Sequence, residues 1–348
     1  MMAQTDAPSP RFLIARFSAL GDIVLMQPVI TALRDTYGPA AQVDLICLWR
    51  CEDAARVLGG LDHIHLVEKG TAECIEAIKE RRYDYLLDLH QSVRSRSLAG
   101  QMDSLVLKVD KANVARWMHI RGWRKEPVPS FVERCFDVVA PFGMVPPAES
   151  LWGPDAWGSL TAEELSPHLE ERVPKDHVAL CLGSSQPGKH LSEDVVQAVL
   201  QWTQRQGHAL LLLGGSAERP RAQELANGWP HAVDLTGACT LLETVGVFQK
   251  AAAVVTGDTV TMHLGAATGR PMASIWGCTR PALGLRAWRP HPESQDILPE
   301  RASEDPRPCS KHGATCRHVK GQDPKAASRC SQEVDPSHVL NWLEKVLS

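Results

Sequence analysis

Apolar residues recur along this chain in two alternating rhythms. Short continuous runs that suit buried strands are separated by stretches with the three-and-four-residue spacing of amphipathic helices. Arg11-Phe-Leu-Ile-Ala-Arg-Phe17 reads as a strand, and the periodic segment behind Ser18-Ala-Leu-Gly-Asp22 as a helix running to about Tyr37. Gly38 and Pro39 end that helix, because glycine accepts the left-handed cap and proline cannot continue the ladder. Val43–Leu48, His63–Val67 and Tyr83–Leu89 read as strands, Glu73–Arg82 as a helix, and Leu105–Val109 as a further candidate strand. Strand, helix, strand order implies a parallel sheet with helices on both faces, since parallel neighbours are reached only through crossovers.

The rhythm breaks between Pro127 and Pro174, where prolines crowd around one short helix, Phe131–Val139. A domain junction is expected between Pro141 and Pro174. The alternation then restarts, with strands predicted at His177–Leu182, His208–Leu213, Val233–Leu235, Ala252–Thr256 and Met272–Trp276. Helices are predicted from a Ser192 cap to Gly207 and over Ala217–Asn227, Leu241–Lys250 and Thr259–Thr268. Arg280 to Pro336 has little periodicity, and Asp335-Pro336 opens a last helix to Leu347. The expected fold class is α/β, two doubly wound Rossmann-like lobes facing each other across a cleft. The boundaries expected are 1–145 for the first lobe, 146–175 for a linker region, 176–334 for the second lobe and 335–348 for the C-terminal helix. Ligands of such sheets bind beyond the carboxyl ends of the strands. The loops after Phe17, Leu89, Leu182, Leu213, Thr256 and Trp276 are therefore the places to look for chemistry.

Composition narrows the classes. The chain has 348 residues, 44% hydrophobic and 22% charged, enough for two ordinary cores. A formal net charge of -4 argues against a general nucleic-acid binder. No apolar run approaches the roughly 20 residues of a membrane-spanning helix. Met1–Pro10 is polar and reads as a short leader without the apolar centre of a secretion signal, so a cytoplasmic protein is expected. Ten cysteines fit a reducing compartment, with Cys47, Cys74, Cys135 and Cys181 inside apolar runs as small core residues.

The loops carry unusual residues. Asp22 opens the first helix, where the helix dipole favours its charged form and a carboxylate can take a proton from a sugar hydroxyl; a plain helix-start Asp is the alternative. Ser18 and Gly21 share that turn, and Gly21 lets a ligand approach the backbone. In Gly183-Ser184-Ser185-Gln186-Pro187-Gly188-Lys189, small residues and a lysine ahead of a helix suit a phosphate, although the spacing is not that of a Walker motif. Gly214 and Gly215 permit a nucleotide to lie on the backbone, and Glu218 offers acceptors for ribose hydroxyls. Asp258, Thr259, Val260, Thr261 and His263 gather where the strand ending at Thr256 passes into a helix, a second anion site; His263 reads equally as a buried structural histidine. No Asp-x-Asp pair occurs, which favours neutralising a diphosphate with Lys189 and helix dipoles over Mg²⁺. A basic stretch (Lys108, Lys111, Arg116, Arg121, Arg124, Lys125), interleaved with Trp117 and Trp123 and preceded by Arg94 and Arg96, suits a phosphorylated or membrane-surface acceptor, or a solvated face. Cys309, Cys316 and Cys330 are candidates for zinc or iron, but the spacing is not that of paired Cys-x-x-Cys knuckles and no fourth ligand stands out. They are read as free thiols in an irregular loop.

Phe17-Ser18-Ala19-Leu20-Gly21-Asp22-Ile23-Val24 with Pro28, and Gly257-Asp258-Thr259 through Met262-His263-Leu264-Gly265-Ala266-Ala267 to Gly269-Arg270-Pro271, resemble the two end motifs of the bacterial heptosyltransferases of glycosyltransferase family 9. Lys189 with its loop, Gly214-Gly215-Ser216 with Glu218, and the Cys309 to Cys330 tail are similar to that family in place, and Val260 stands where its members usually carry Gly. The resemblance implies a GT-B fold and inverting, metal-independent transfer without a cofactor. It implies ADP-L-glycero-D-manno-heptose as donor and the lipopolysaccharide inner core, at the cytoplasmic face of the inner membrane, as acceptor, with peripheral contact to that membrane. It makes Asp22 the general base. Ser184, Ser185, Lys189, Gly214, Gly215, Glu218, Asp258, Thr259, Val260, Thr261 and His263 are then the donor residues, and Ser18, Gly21, Arg94, Arg96, Arg121 and Arg124 the acceptor candidates. The competing expectations are a transferase of the same fold with another nucleotide-sugar donor or a protein acceptor, and a catalytically silent nucleotide-binding protein.

Overall fold

The computed structural model describes residues 9–319 and 329–348. Nearly all of the leader expected over Met1–Pro10, and residues 320–328 of the cysteine-bearing tail, lie outside the described residues.

The first lobe is built on five strands: β1 (Arg11–Ala15), β2 (Gln42–Leu48), β3 (His63–Val67), β4 (Tyr85–Asp88) and β5 (Leu105–Lys108). They pair in parallel in the order β3-β2-β1-β4-β5. β1 lies at the centre, and Phe12, Leu13, Ile14 and Ala15 are fully buried. That is why its sequence is a continuous apolar run and not an alternation: helices cover both faces of a parallel sheet. The helix expected behind Asp22 is broken in two, Leu20–Val24 and Gln27–Tyr37, with Pro28 in the first turn of the second piece, where its missing N–H costs nothing.

Among the described residues the second lobe holds six strands: β6 (His177–Cys181), β7 (Leu210–Leu213), β8 (Ala232–Asp234), β9 (Ala251–Gly257), β10 (Met272–Ile275) and β11 (Gln295–Ile297). All pair in parallel, in the order β11-β10-β9-β6-β7-β8. Val178 and Leu180 of β6 pack with Val195 and Val199 of helix Glu193–Gln206 and with Val339 and Trp342 of helix Pro336–Leu347 in one buried cluster. The Ser192 hydroxyl accepts from Val195 N and Gly207 closes the same helix in the left-handed conformation, as the sequence predicts. The edge strand β11 falls inside the stretch that shows little periodicity; three residues are too few to display one.

The chain divides into two compact units, Met1–Lys111 with Val132–Pro147, and Ala112–Phe131 with Ala148–Ser348. Residues 112–131, placed by the sequence within a first lobe of 1–145, group with the second unit. Arg116 Nε donates to Leu283 O (2.9 Å), Val128 N to Ala282 O (2.9 Å) and Lys311 Nζ to Asn113 Oδ1 (2.7 Å). Helices Val93–Ala99 and Asn113–Arg121 have no counterpart in the apolar pattern, being short and carrying exposed apolar residues (Val93, Val114, Trp117) among their polar ones. Among the described residues no helix is long and apolar enough to cross a membrane.

Leu180 is fully buried between sheet and helices, so Leu180→Ala is expected to destabilise the second lobe by about 2–5 kcal/mol. Ser192→Ala removes one cap and is expected to cost about 1 kcal/mol. Denaturant midpoints of the two variants check the ranking; equal shifts would contradict it.

Candidate active site

In the first lobe the polar residues collect beyond the carboxyl ends of β1 and β4. Past Ala15 the chain still follows β2, with Arg16 N donating to Ile46 O (3.1 Å) and Leu48 N to Phe17 O (3.2 Å). It then turns into helix Leu20–Val24, whose first turn carries Asp22. The Arg16 guanidinium pairs with Asp22 Oδ2 and also donates to Leu89 O, tying the end of β1 to the end of β4. Asp22 remains about one-third exposed. On β4, Asp88 Oδ1 accepts from His90 N (3.0 Å) and Gln91 N (2.7 Å), and the bend so formed sets the His90 ring edge-on to Phe17. Burial, then the positive charges of Arg16 and Lys111, push the His90 pKa down to about 4. Lys111 Nζ donates to Gln91 O (3.1 Å).

In the second lobe three loops converge at the carboxyl edge of β6, β9 and β10. The turn Pro187–Lys189 follows β6, and Lys189 Nζ lies 2.8 Å from Asp258 Oδ2. Thr279 Oγ1 donates to the same carboxylate oxygen (2.8 Å). Asp258 and Thr279 are buried, and Lys189 is mostly so. The sequence gives Lys189 and Asp258 separate tasks; in the fold they form one cation–carboxylate–hydroxyl group. Helix Val260–Ala267 begins beside it, with Thr259 as N-cap making no side-chain cap bond. Thr261 Oγ1 is 2.7 Å from both Thr259 Oγ1 and Thr256 Oγ1, so the hydroxyls form a chain across the helix start. His263, one turn on, is buried.

Other predicted residues have local work. Ser184 Oγ donates to Gln186 O (3.0 Å) and shapes the loop, while Ser185 is exposed. Glu218, expected to face a ribose, accepts from Gly215 N (2.9 Å) and closes its own turn against Gly214. Arg94 Nε donates to Lys69 O (2.8 Å), and Arg96 is exposed on the same helix. Arg121 lies over the Trp117 ring (5.8 Å), and Arg124 Nε donates to Glu126 O (2.9 Å). The acceptor candidates are divided: Ser18, Gly21, Arg94 and Arg96 belong to the first unit, Arg121 and Arg124 to the second. Trp117 and Trp123 meet edge to face (4.9 Å) and are 46% and 67% exposed.

Sequence reasoning missed Arg16, His90, Cys278 and Thr279. Arg16 had a signal, a charge interrupting an apolar strand. Cys278 and Thr279 sit in Gly277-Cys278-Thr279-Arg280, in the loop after Trp276, where no motif marks them. Cys309, Cys316 and Cys330, read as separate thiols in an irregular loop, are gathered with Cys278, the fourth thiol that the spacing does not reveal. Of the cysteines expected in the core, Cys47, Cys135 and Cys181 are buried and Cys74 is half-buried.

Two doubly wound lobes with all-parallel sheets of five and six strands are the GT-B architecture. Solved structures agree along nearly the whole chain. The E. coli ADP-heptose LPS heptosyltransferase II superposes with a TM-score of 0.67 at 18% identity, covering 97% of this chain and 98% of that one. A glycosyltransferase family 9 protein from Veillonella parvula gives 0.70 at 14% identity, covering 97% of each chain. In sequence, lipooligosaccharide heptosyltransferase 2 of Haemophilus influenzae is 35% identical over 81 residues, 22% of this chain and 23% of that protein's length. The profile of the family described as Glycosyltransferase family 9 (heptosyltransferase) matches residues 71–316, more than half of the chain. The chain belongs to that family.

The buried histidines set a pH dependence. His90 and His65 both have pKa values lowered to about 4 by burial first, so each stays neutral in the fold while its unfolded counterpart protonates below the ordinary value of 6.5. The unfolded state then binds more protons, and stability falls as pH drops from 6.5 towards 4. Melting temperatures over that window should decline less steeply for His90→Gln than for the unaltered protein; identical slopes would mean that His90 protonates freely in the fold.

Proposed function

We propose that the chain is an inverting, metal-independent heptosyltransferase. It moves heptose from ADP-L-glycero-D-manno-heptose to a hydroxyl of a lipopolysaccharide inner-core acceptor, at the cytoplasmic face of the inner membrane. The observation that carries this reading is the Lys189–Asp258–Thr279 group at the start of helix Val260–Ala267, a place where a cation, a hydroxyl chain and helix N–H groups meet. Family membership supplies the chemical class.

Lys189 exchanges Asp258 for the donor diphosphate, and the released carboxylate accepts hydrogen bonds from heptose hydroxyls. Thr259, Thr261 and the first-turn N–H groups hold the phosphate oxygens. Asp22 takes the proton of the acceptor hydroxyl. The acceptor oxygen bonds to the anomeric carbon from the face opposite the diphosphate, and the bond from that carbon to the phosphate oxygen breaks. ADP leaves with the electron pair, its growing charge met by Lys189 and the helix dipole. Arg16 holds Asp22 in place through Oδ2. Asp22 is oriented but partly exposed, as a base that must meet a solvent-borne hydroxyl requires. The exposed Trp117–Trp123 pair, with Arg121 and Arg124 alongside, provides an amphipathic patch for peripheral contact with an anionic membrane surface.

Incubation with ADP-heptose and heptose-accepting core glycans should release ADP. Asp22→Asn should lower kcat by about 10²–10⁴-fold while ADP affinity is kept; unchanged turnover would remove Asp22 from the reaction. Lys189→Ala should instead weaken ADP binding in calorimetry, and an unaltered Kd would remove Lys189 from the donor site. Vesicles containing anionic lipid should sediment the unaltered protein and leave a Trp117→Ala/Trp123→Ala variant in solution; equal sedimentation would refute the membrane contact.

A further inference from the structure

Four cysteine sulfurs meet where the carboxyl end of β10 faces the chain behind it. Cys278 follows β10 directly, Cys309 and Cys316 come from the irregular segment, and Cys330 from the short helix Arg329–Gln332. The Sγ atoms of Cys309 and Cys330 are 3.4 Å apart, those of Cys316 and Cys330 3.8 Å, and those of Cys309 and Cys316 4.0 Å. With Cys278 all four lie within 4.8 Å of one another. A disulfide would bring a pair to about 2.05 Å. A tetrahedron of sulfurs at about 2.3 Å from a central ion has edges of about 3.8 Å, the separation seen here. Cys278 and Cys330 are fully buried, so the cluster is closed to solvent on two sides. Thiols are weak hydrogen-bonding groups, and crowding four of them gains little unless a cation binds them together.

The geometry points to a single thiophilic metal ion, zinc or iron, held by Cys278, Cys309, Cys316 and Cys330. Four thiolates leave no open position, so the ion is structural rather than a Lewis acid for the reaction. The backbone around it supplies the frame. Cys309 N and Ser310 N donate to Cys278 O (2.8 and 3.3 Å), and Arg317 donates to Pro308 O (3.3 Å).

The site also reaches the Lys189 turn. Cys278 N donates to Gly188 O (2.8 Å) and Gly188 N to Gly313 O (2.9 Å). A Cβ on Gly188 would lie 2.7 Å from the Cys278 Cβ, and one on Gly313 would lie 2.8 Å from the Lys189 Cγ. The metal therefore clamps the segment of Cys309 to Cys316 onto the turn that carries Lys189. This coupling, unlike the metal site itself, rests on the reading of Lys189 as a diphosphate ligand.

The test is elemental analysis of full-length protein purified without an affinity tag. About one zinc or iron per chain is expected. The same analysis says whether the metal is zinc or iron, either supporting the site. Cys278→Ser and Cys316→Ser should lose the metal and Cys74→Ser should retain it. Should the serine variants fail to fold, removal of the ion from the unaltered protein by a chelator and refilling with Co²⁺ reads the same site through tetrahedral cobalt–thiolate bands. Protein free of metal even after incubation with stoichiometric Zn²⁺ or Fe²⁺, or two disulfides among these cysteines by mass spectrometry, would overturn the proposal. Chelation should also weaken ADP binding by roughly tenfold. Metal present with ADP affinity unmoved by its removal would overturn the coupling alone, while absence of ADP binding in the metal-filled protein would count against the donor reading and not against the metal.

Discussion

The second lobe depends on a close approach of backbones. The turn Pro187–Lys189 lies against the ends of β9 and β10 so tightly that side chains are excluded at the contact. A Cβ on Gly277 would overlap the Gly188 carbonyl, and one on Gly257 would sit 2.7 Å from the Lys189 carbonyl. Without that approach Lys189 would not come within 2.8 Å of Asp258, and Cys278 would not hydrogen-bond to Gly188. Both the Lys189–Asp258–Thr279 group and the thiol cluster are consequences of one packing constraint.

Each lobe shows the same division of labour. The central strands are apolar from end to end because helices cover both faces. Polar residues are pushed to the carboxyl edge, where strands stop and helices begin and where backbone N–H groups need partners. In the first lobe the edge is organised by charge: Arg16 spans from β1 to β4 and holds Asp22, while His90 is kept neutral beside two cations. In the second it is organised by hydroxyls and a buried ion pair, with Thr256, Thr259, Thr261 and Thr279 around Lys189 and Asp258. A buried ion pair adds little stability by itself, since desolvation offsets the attraction. The proposed exchange of this carboxylate for a donor phosphate would give the pair a use that stability does not explain.

The segment 112–131 belongs to the second unit. It follows β5 in the chain but hydrogen-bonds to residues 282 and 283 of the second unit, and it carries the exposed tryptophan pair. Val114, Trp117 and Trp123 are exposed there, while His119, Val128 and Phe131 of the same segment are buried.

The two parallel sheets, most of their strands and the Asp22 and Asp258 turns were legible in the chain alone. Their physics is local: a buried parallel strand needs an unbroken apolar run, a helix start needs its cap, and a close-packed turn needs glycine. What the chain could not reveal were relations between residues far apart in sequence. The Lys189–Asp258 pair, the Arg16 bridge to Leu89, the allegiance of residues 112–131 and the fourth thiol all arise when separate strand ends are brought side by side. Cys278 illustrates the reason. No spacing connects it to Cys309, because the chain between them travels through β11 and an irregular loop before returning, and only the packed edge of the sheet makes them neighbours.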